Sequence, residues 1–347
     1  MGAKIGEIIR AGSRPTSLEA LTGRVVAVDA QNTLYQFLST IRQPDGTPLT
    51  DSAGRTTSHL SGLIYRTTHL VAKGLKLVFV FDGKPSELKA EVLKARAERR
   101  AEALRKWEEA KVLFPEEPEK SFKYAQASAK VDAAVVEDAK RLLTYLGVPC
   151  VQAAGEGEAQ AAFLVQRGDA ELVSSQDYDS LLFGAPVVVR NLTAAGAPRR
   201  KAALEVVELR AVEERLGLTR EQLVDLAILV GTDFNPGVKG VGVKRALKLV
   251  KTQKQTQKQQ TQKQQTQKQQ HHALEELVEN YELVRKIFLQ PEVSETYELN
   301  WGAVEAERVK EFLCEEHDFS VERVSKVLEK ISQTARQTRQ KRIEQWF

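Results

Sequence analysis

Seven acidic side chains stand at or just beyond the ends of predicted strands and loops. They are Asp29, Asp82, Glu156, Glu158, Asp177, Asp179 and Asp233. Taken singly, Asp82 with its following glycine could form a turn, and Asp177 or Asp179 could cap a helix. Taken together, clustered carboxylates repel one another and need a cation to neutralise them. The set as a whole therefore indicates a metal site.

The ligand chemistry narrows the choice of metal. The seven residues include no His or Cys, which argues against zinc, and all-oxygen ligation favours Mg²⁺, with Mn²⁺ able to substitute. A carboxylate-rich site with room for two such ions suits in-line attack on a phosphodiester. One ion would activate water, and both would stabilise charge on the attacking and leaving oxygens. We therefore expect phosphodiester hydrolysis.

Strands that alternate with helices must position these acids. Apolar, β-branched runs predict strands at 24–28, 77–81, 148–151, 171–173 and 187–192, the last returning through a turn at 196–201 to 203–209. Helical periodicity lies between them at 31–41, 58–73, 86–112, 131–146 and 156–167. This order predicts an α/β fold with a mostly parallel, twisted central sheet flanked by helices. Ligands bind outside the carboxyl ends of such strands, so acids at four successive strand ends should converge on one rim, which Asp233 could join.

The second half of the chain is predicted to be helical. Helices are expected at 211–216, 219–230, 242–250, 273–289, 303–315 and 320–332. We predict one core domain over residues 1–332 and a flexible tail over 333–347.

Two segments depart from this regular pattern. Residues from about 84 to 130 combine a long charged helix, a proline-containing break and a second helical piece, and they predict a protruding arch. Residues 252–270 contain three copies of Thr-Gln-Lys-Gln-Gln. A five-residue period advances about 140° around a helix, so the repeat lysines cannot line one face. A polar tract of this kind cannot supply a core, and disorder or an exposed helical extension is expected.

Composition and charge exclude several classes of protein. The chain has 347 residues, of which 42% are hydrophobic and 28% charged, and no apolar run approaches a membrane-spanning length. The N-terminus shows no charged-then-apolar signal pattern, so export is not expected, and Gly6 stands where a myristoylation motif wants Ser or Thr. Cys150 and Cys314 suit a reducing cytosol. Basic clusters at 84–111 and 236–251 suit a protein that grips phosphates locally.

The acidic motifs resemble those of the flap endonuclease family. The matching stretches are Val-Ala-Val-Asp-Ala at 26–30, Val-Phe-Asp-Gly-Lys-Pro at 80–85, Gly-Glu-Gly-Glu-Ala at 155–159, Gln-Asp-Tyr-Asp-Ser at 176–180 and Gly-Thr-Asp at 231–233. They come in the family's order, and the similarity spans nearly the whole chain apart from 252–270. The resemblance implies that the seven acids coordinate metal and that the protein cleaves 5′ flaps near the junction with duplex.

The resemblance also implies roles for residues around the acids. Lys89 and Arg96 lie seven residues apart, on roughly one face of the helix after Asp82, and match the family's catalytic basic residues. Cations there could hold the scissile phosphate and stabilise developing charge. Tyr35 matches an aromatic that stacks on a substrate base in the family. Arg42 is predicted to be a further DNA-binding residue.

A glycine-rich stretch after Asp233 resembles the family's helix-hairpin-helix-type DNA anchor, which is often associated with K⁺. Its glycines would let backbone N–H groups approach a phosphate at a helix N-terminus, and two cations would add charge. The residues are Gly237, Gly240, Gly242, Lys244 and Arg245, within an element of about 231–250. The repeat begins at the end of this anchor helix and departs from the family pattern.

The last eight residues resemble a motif that docks on the DNA sliding clamp. Its positions are Gln340, Ile343, Trp346 and Phe347, and a single tight turn would bring the apolar three onto one face. The absence of a basic extension after them favours an archaeal-type member.

Three functional readings remain. The main one is a Mg²⁺-dependent 5′ flap endonuclease of replication and repair with some 5′→3′ exonuclease activity, acting as a cytoplasmic, nucleoid-associated monomer. A dedicated 5′→3′ exonuclease would use the same acids. A non-catalytic DNA- and clamp-binding scaffold is the third, and the full set of seven acids argues against it.

Overall fold

The computed structural model describes residues 2–113, 118–194, 203–258 and 277–344. At 118–120, 252–258 and 334–344 the description covers the backbone alone. Everything below refers to these residues.

A seven-stranded sheet forms the centre of the molecule. Its strands are β1 Arg14–Thr16, β2 Val25–Asp29, β3 Lys76–Phe81, β4 Cys150–Gln152, β5 Leu172–Ser174, β6 Val187–Arg190 and β7 Leu204–Glu208. They lie in the order β1-β7-β6-β5-β2-β3-β4. The five strands β4, β3, β2, β5 and β6 are parallel, whereas β7 pairs antiparallel with both β6 and β1. The predicted α/β class and the return strand are confirmed, and β1 is an edge strand that the sequence did not predict.

Fifteen α-helices are described along the chain. They are α1 Gly6–Arg10, α2 Ala30–Thr40, α3 Ser58–Gly62, α4 Thr68–Ala72, α5 Ala90–Leu113, α6 Pro118–Ala127, α7 Ala133–Tyr145, α8 Gly157–Gln166, α9 Asp179–Leu182, α10 Leu209–Leu216, α11 Arg220–Val230, α12 Val243–Lys258, α13 Tyr281–Leu289, α14 Ala306–Lys310 and α15 Val321–Glu344. Two predicted helices, 58–73 and 303–315, contain π-helical segments at Leu63–Thr67 and Glu311–Glu315.

Alternation along the strands builds one hydrophobic core on each face of the sheet. On β3, Val78 and Val80 face one core, while Phe79 and Phe81 face the other. This period of two is the geometry of a strand covered on both faces. The sheet is therefore held rigidly between helical layers, and its carboxyl edge is a fixed platform for side chains.

The arch consists of α5 and α6. Of the 24 residues of α5, the buried ones are Ala103, Trp107 and Ala110, which share one face. The Trp107 indole N–H donates to the backbone oxygen of Asp45 at 3.3 Å, and a Cβ at Gly46 would lie 3.1 Å from that nitrogen. The arch thus packs on the turn around Asp45 through Trp107 of α5 and through Ser121 and Ala125 of α6.

The C-terminal segment differs from the expected flexible tail. Helix α15 begins at Val321, near the predicted start, but runs to Glu344. Residues 333–344 contain neither Gly nor Pro and are rich in good helix formers, so nothing in them stops the helix. The backbone is therefore helical across the predicted boundary at 333, and the tail itself stays a prediction. Within the described residues, no helix is both long enough and apolar enough to cross a membrane.

Candidate metal and nucleic-acid site

Four adjacent strands deliver the acids to one edge of the sheet. In the observed order β5, β2, β3 and β4 are neighbours. Asp29 is the last residue of β2, Asp82 directly follows β3, and Asp179 opens α9 just after β5. Because the carboxyl ends of parallel strands share one rim, the predicted convergence is confirmed.

A cavity of about 280 Å³ lies at this rim. Six of the seven acids line it, together with Lys89, Arg96 and Tyr35 from the predicted set; the six are Asp29, Asp82, Glu156, Glu158, Asp177 and Asp233. The seventh, Asp179, is 4% exposed and lies close enough to Glu158 to raise the pKa of that carboxyl, after the larger effect of burial. The structure thus brings together acids spread over more than half of the chain.

The N-terminal segment fixes Asp179 through a backbone hydrogen bond. The backbone N–H of Ala3 donates to Oδ1 of Asp179 at 2.7 Å. Gly2 has a φ of +86°, and a Cβ there would lie 2.8 Å from the same oxygen. The backbone N–H of Lys4 donates to the Gly231 oxygen at 3.3 Å, on the loop that leads to Asp233. Residues 2–4 therefore join two loops of the site, a role that no sequence pattern indicated.

Neighbouring polar groups fix the other carboxylates. Asp29 accepts from the backbone N–H of Asn32 at 3.0 Å and from the Ser175 hydroxyl at 3.2 Å. The Asn32 side chain donates to Asp177 at 2.9 Å.

Hydrogen bonds also fix the acids that follow β3 and β4. The Gly157 N–H donates to Asp82 at 2.8 Å, and the Ser180 hydroxyl donates to Glu158 at 2.9 Å. Sequence reasoning missed Asn32, Ser175 and Ser180 in this role. The sequence signal that could have found them is a small polar residue within three positions of one of the acids.

Burial raises the pKa values of several of the acids, and repulsion between neighbouring carboxylates adds to the effect at Asp29, Glu158 and Asp179. Burial, followed by the charges of Asp82 and Asp177, raises the pKa of Asp29 to about 8. Burial and the neighbouring Asp177 raise the pKa of Asp179 to about 7. Burial raises the pKa values of Asp82 and Asp177 as well. Such a cluster stores repulsion that a bound cation relieves.

Two cations from the base of the arch pair with acids of the cavity. The Lys89 ammonium donates to Glu156 and lies 5.0 Å from the centre of the Phe234 ring. Arg96 donates to Asp233 at 2.5 Å. Burial opposes the charge of Lys89, but Glu156 and other nearby acids raise the pKa of Lys89 above its usual value. The expectation that both residues face the acids is confirmed, whereas catalytic roles for them remain a prediction.

The donor set fits hard divalent cations. All the acids are oxygen donors, and six of them line one cavity. Among the described residues no three His, Cys, Asp or Glu side chains are already grouped closely enough to hold one ion. The carboxylates are turned instead toward Lys89, Arg96 and backbone or side-chain donors. Ligation of an ion would therefore require some of these side chains to exchange partners.

A larger cavity of about 840 Å³ adjoins the first. The two share Tyr35, Arg96, Arg100 and Asp233. Arg99 also lines the larger cavity, and Lys130 lines the smaller one. Sequence reasoning missed Arg99, Arg100 and Lys130, although Arg100 lies four positions after Arg96 on the same helix face. Arg42 lines neither cavity, because its guanidinium donates to the backbone oxygens of Leu38 and Gly46.

The glycine-rich segment after Asp233 forms a tight turn that leads into α12. Gly237 has a φ of +82°, and a Cβ there would lie 2.5 Å from the Val230 backbone, so only glycine fits. Gly240 and Gly242 face open space, and Lys244 and Arg245 are exposed on the first turn of α12. Contact of this turn with a phosphate remains a prediction.

The C-terminal motif falls largely outside the described side chains. Gln340 and Ile343 lie within the backbone range of α15, and Trp346 and Phe347 lie beyond the described residues. The expected single tight turn at 340–347 is not what the backbone shows at Gln340 and Ile343, which are part of a long helix.

Comparisons with known proteins agree with this geometry. The XPG N-terminal domain matches residues 3–103, and the XPG I-region matches residues 147–233. These two regions contain all seven acids, so the fold and the site define a nuclease of the XPG class.

Full-length relatives narrow the class further. The chain is 50% identical to flap endonuclease 1 of Methanocella arvoryzae, with 100% of both chains covered, and 47% identical to that of Pyrococcus furiosus, with 100% of this chain and 99% of the relative covered. The solved flap endonuclease-1 of Methanococcus jannaschii superposes with a TM-score of 0.76 at 37% identity, covering 97% of this chain and 100% of that one. The chain belongs to the flap endonuclease family.

Proposed function

We propose that this protein is a Mg²⁺-dependent 5′ flap endonuclease that cuts a phosphodiester close to the junction of flap and duplex. The observation that carries the proposal is the single cavity in which six carboxylates meet Lys89 and Arg96 beneath the arch. Two Mg²⁺ ions held by the seven acids would supply an activated water and stabilise charge on the reacting oxygens, and Mn²⁺ would substitute. The protein would act as a monomer on DNA in the cytoplasm.

The chain's own residues would position the substrate. Lys89 and Arg96 reach the cavity from the arch, and each can exchange its carboxylate partner for a scissile phosphate. Arg100 and Lys130, which also line the cavity, would hold neighbouring phosphates. Tyr35 lines both cavities, and stacking of a base on its ring would contribute roughly 1–3 kcal/mol.

The duplex would be held some distance from the cut. The glycine turn at Gly237–Gly242 would contact a backbone phosphate through exposed N–H groups, with Lys244 and Arg245 alongside and K⁺ as an additional ligand of the turn. Contacts of this kind position the DNA without reading its sequence.

A substrate panel with chelator controls tests the proposal. The wild type is incubated with a 5′ flap, a nicked duplex and a blunt duplex, each with Mg²⁺ or EDTA. We expect endonucleolytic cleavage of the flap with Mg²⁺ alone. Single nucleotides released from the blunt duplex would favour the exonuclease instead, and no product from any substrate would leave only the scaffold.

A substitution at the site gives an independent check. Asp179→Ala should abolish cleavage while flap binding persists, because binding rests mainly on phosphate contacts elsewhere. Asp169→Asn is the control, since Asp169 precedes β5 at the opposite edge of the sheet and hydrogen-bonds to Tyr297. Near-normal turnover by Asp179→Ala would remove this residue from the site.

Docking on a sliding clamp is a further part of the proposal. It is supported by the spacing of Gln340, Ile343, Trp346 and Phe347. Deletion of 340–347 should leave intrinsic cleavage unchanged and remove stimulation by the clamp. Clamp binding of unchanged strength, measured by calorimetry on the truncated protein, would refute it.

A further inference from the structure

Arg190 is a largely buried cation at the carboxyl end of β6. It is the last residue of that strand, which lies beside β5 in the sheet, and its side chain is 12% exposed. Arg190 lines neither of the two cavities, so its role is not direct contact with an ion or with DNA there. A guanidinium at this depth needs partners for its charge and for its donors.

The partners of Arg190 belong to the loop between β5 and α9. Its Nε donates to the backbone oxygen of Gln176 at 3.1 Å, and its Nη1 donates to the Tyr178 hydroxyl at 2.7 Å. The centre of the guanidinium lies 4.6 Å from the centre of the Tyr178 ring. The same Nη1 donates to Glu205, the residue directly opposite on β7, at 3.1 Å. One side chain therefore ties this loop to β6 and β7.

The contact with Gln176 fixes the peptide group that leads to Asp177. The Gln176 carbonyl and the Asp177 N–H belong to one planar peptide. Arg190 holds the oxygen of that plane, and the Ser175 hydroxyl oxygen accepts from its N–H at 3.2 Å. In the preceding peptide, the Gln176 N–H donates to the Asn32 side chain at 3.3 Å. A rotation of the plane that turned Asp177 away would therefore break hydrogen bonds at both of its edges.

The contact with Tyr178 fixes the residue between two of the acids. Tyr178 separates Asp177 from Asp179, is 7% exposed and belongs to the core on one face of the sheet. Its ring also lies close to α1, because a Cβ at Gly6 would lie 3.1 Å from it. The ring is thus confined by Arg190 and by α1, and a shift of the ring would move the carboxylate on either side.

The two acids need this support because they repel each other. After the larger effect of burial, the charge of Asp177 raises the pKa of Asp179. Mg²⁺ also demands nearly ideal octahedral geometry from its ligands. We infer that Arg190 is a positioning residue of the metal site, which holds the loop at 176–179 in place for ligation through both contacts. The inference rests on the proposed function, because it takes both carboxylates as ligands of the ions.

A charge effect and a positioning effect of Arg190 predict opposite results. Neutralising a cation near the acids would by itself strengthen their attraction for a divalent ion. Loss of positioning would weaken ion binding instead, and removal of a group that orients metal ligands typically costs about 10- to 100-fold in metal affinity. The direction of the change in Mn²⁺ affinity of Arg190→Gln therefore distinguishes the two effects.

Mn²⁺ titration of the full-length, metal-stripped protein by calorimetry, without DNA, tests the inference. We expect the dissociation constant of Arg190→Gln to be about 10- to 100-fold above that of the wild type. Arg190→Lys should also bind Mn²⁺ more weakly, because lysine keeps the charge but lacks the planar fork of donors. The Mg²⁺ concentration for half-maximal flap cleavage should rise in parallel. Cleavage at saturating Mg²⁺ and flap binding in EDTA should stay near the wild-type values.

Arg285 provides a matched control. Its side chain is 14% exposed, its Nε donates to Asp225 at 2.9 Å, and it lines neither cavity. Arg285→Gln should lower Tm as Arg190→Gln does but leave Mn²⁺ affinity unchanged, because Arg285 joins α13 to α11 and not to the loop at 176–179.

Unchanged or tighter Mn²⁺ binding by Arg190→Gln would overturn the inference, and flap cleavage by the wild type would leave the proposed function intact. Circular dichroism checks folding, and if Arg190→Gln does not fold, the same criterion applies to Arg190→Lys. Wild-type affinity in Arg190→Lys would also overturn the inference, because an ammonium cannot reproduce both contacts. An equal loss in Arg285→Gln would overturn it by assigning the loss to stability. The expected losses in a protein whose wild type cleaves no flap would instead contradict the proposed function and support the inference.

Discussion

The backbone N–H of Ala3 donates a 2.7 Å hydrogen bond to Oδ1 of Asp179, 176 positions further along the chain. This bond fixes one carboxylate oxygen and orients the other. The next residue, Lys4, donates its backbone N–H to Gly231 on the loop that carries Asp233. The N-terminal segment therefore acts as a positioning element for two of the proposed metal ligands.

Gly2→Ala should disable the site without preventing folding. The new Cβ would lie 2.8 Å from Oδ1 of Asp179 and 3.2 Å from the Cβ of Asp177. We expect weaker Mn²⁺ binding by calorimetry and a large loss of cleavage, with flap binding retained. Gly23→Ala is the matched control, because Gly23 has a φ of +84° but nothing within 4 Å of its Cβ position. Equal losses in both variants would assign the effect to backbone strain alone.

The metal-free protein should lose stability as pH rises. The pKa values of Asp29 and Asp179 are raised from 3.8 to about 8 and about 7. At a pH between 3.8 and the raised pKa of each carboxyl, the folded state holds a proton that the unfolded state has released. The free energy of unfolding therefore falls as pH increases through this window. In EDTA, Tm should therefore be lower at about pH 8 than at about pH 5.

Two controls accompany this measurement. Asp29→Asn should flatten the pH dependence because its side chain cannot ionise, and Mg²⁺ should restore Tm at the higher pH by taking the place of the protons. Carboxyls whose pKa is lowered, such as Asp45 with its Thr47 hydrogen bonds, are already ionised at about pH 5 and add no slope above it. A Tm that rises over this interval in EDTA would contradict the prediction.

Arg96→Gln should lower kcat much more than it raises KM. Arg96 reaches the cavity from the arch and pairs with Asp233, so its charge is available to a phosphate at the metals. Loss of one donor to a developing negative charge costs about a hundred- to a thousandfold in rate. Arg105→Gln, on the same helix but 69% exposed and paired with Glu109, is the control and should retain normal rates. Single-turnover kinetics separate the two parameters.

Trp107→Ala should free the arch from the turn around Asp45. The indole N–H would no longer donate to the Asp45 oxygen, and Lys111 would lose the ring over which it lies at 4.2 Å. We expect faster proteolysis within the arch and a higher KM for flaps, while Tm of the core changes little. Leu104→Ala, at a position 43% exposed on the same helix, is the comparison. Unaltered proteolysis of Trp107→Ala would show that other contacts hold the arch.

The sequence alone determined which residues could form the site. The position of an acid directly after a buried strand, as with Asp29 and Asp82, predicts that it lies at the carboxyl rim of the sheet, because all parallel strands in a sheet end at one rim. The family resemblance added Lys89 and Arg96, and the helical period placed both on one face. These predictions depend on local patterns and on one general property of parallel sheets. The structure brings the residues together, while their metal-binding and catalytic roles stay predictions.

Pairings between distant residues were decided by the tertiary structure. Lys89 with Glu156 and Arg96 with Asp233 join residues 67 and 137 positions apart, and no local pattern specifies either pair. Strand β1 consists of Arg14, Pro15 and Thr16, which have no strand periodicity; they are extended because β7 offers them an edge. The Ala3–Asp179 bond is likewise created by the packing of the N-terminal segment against the site. Local sequence sets which groups are available, whereas the folded chain alone sets which of them meet, because contact between distant residues depends on how every intervening element packs.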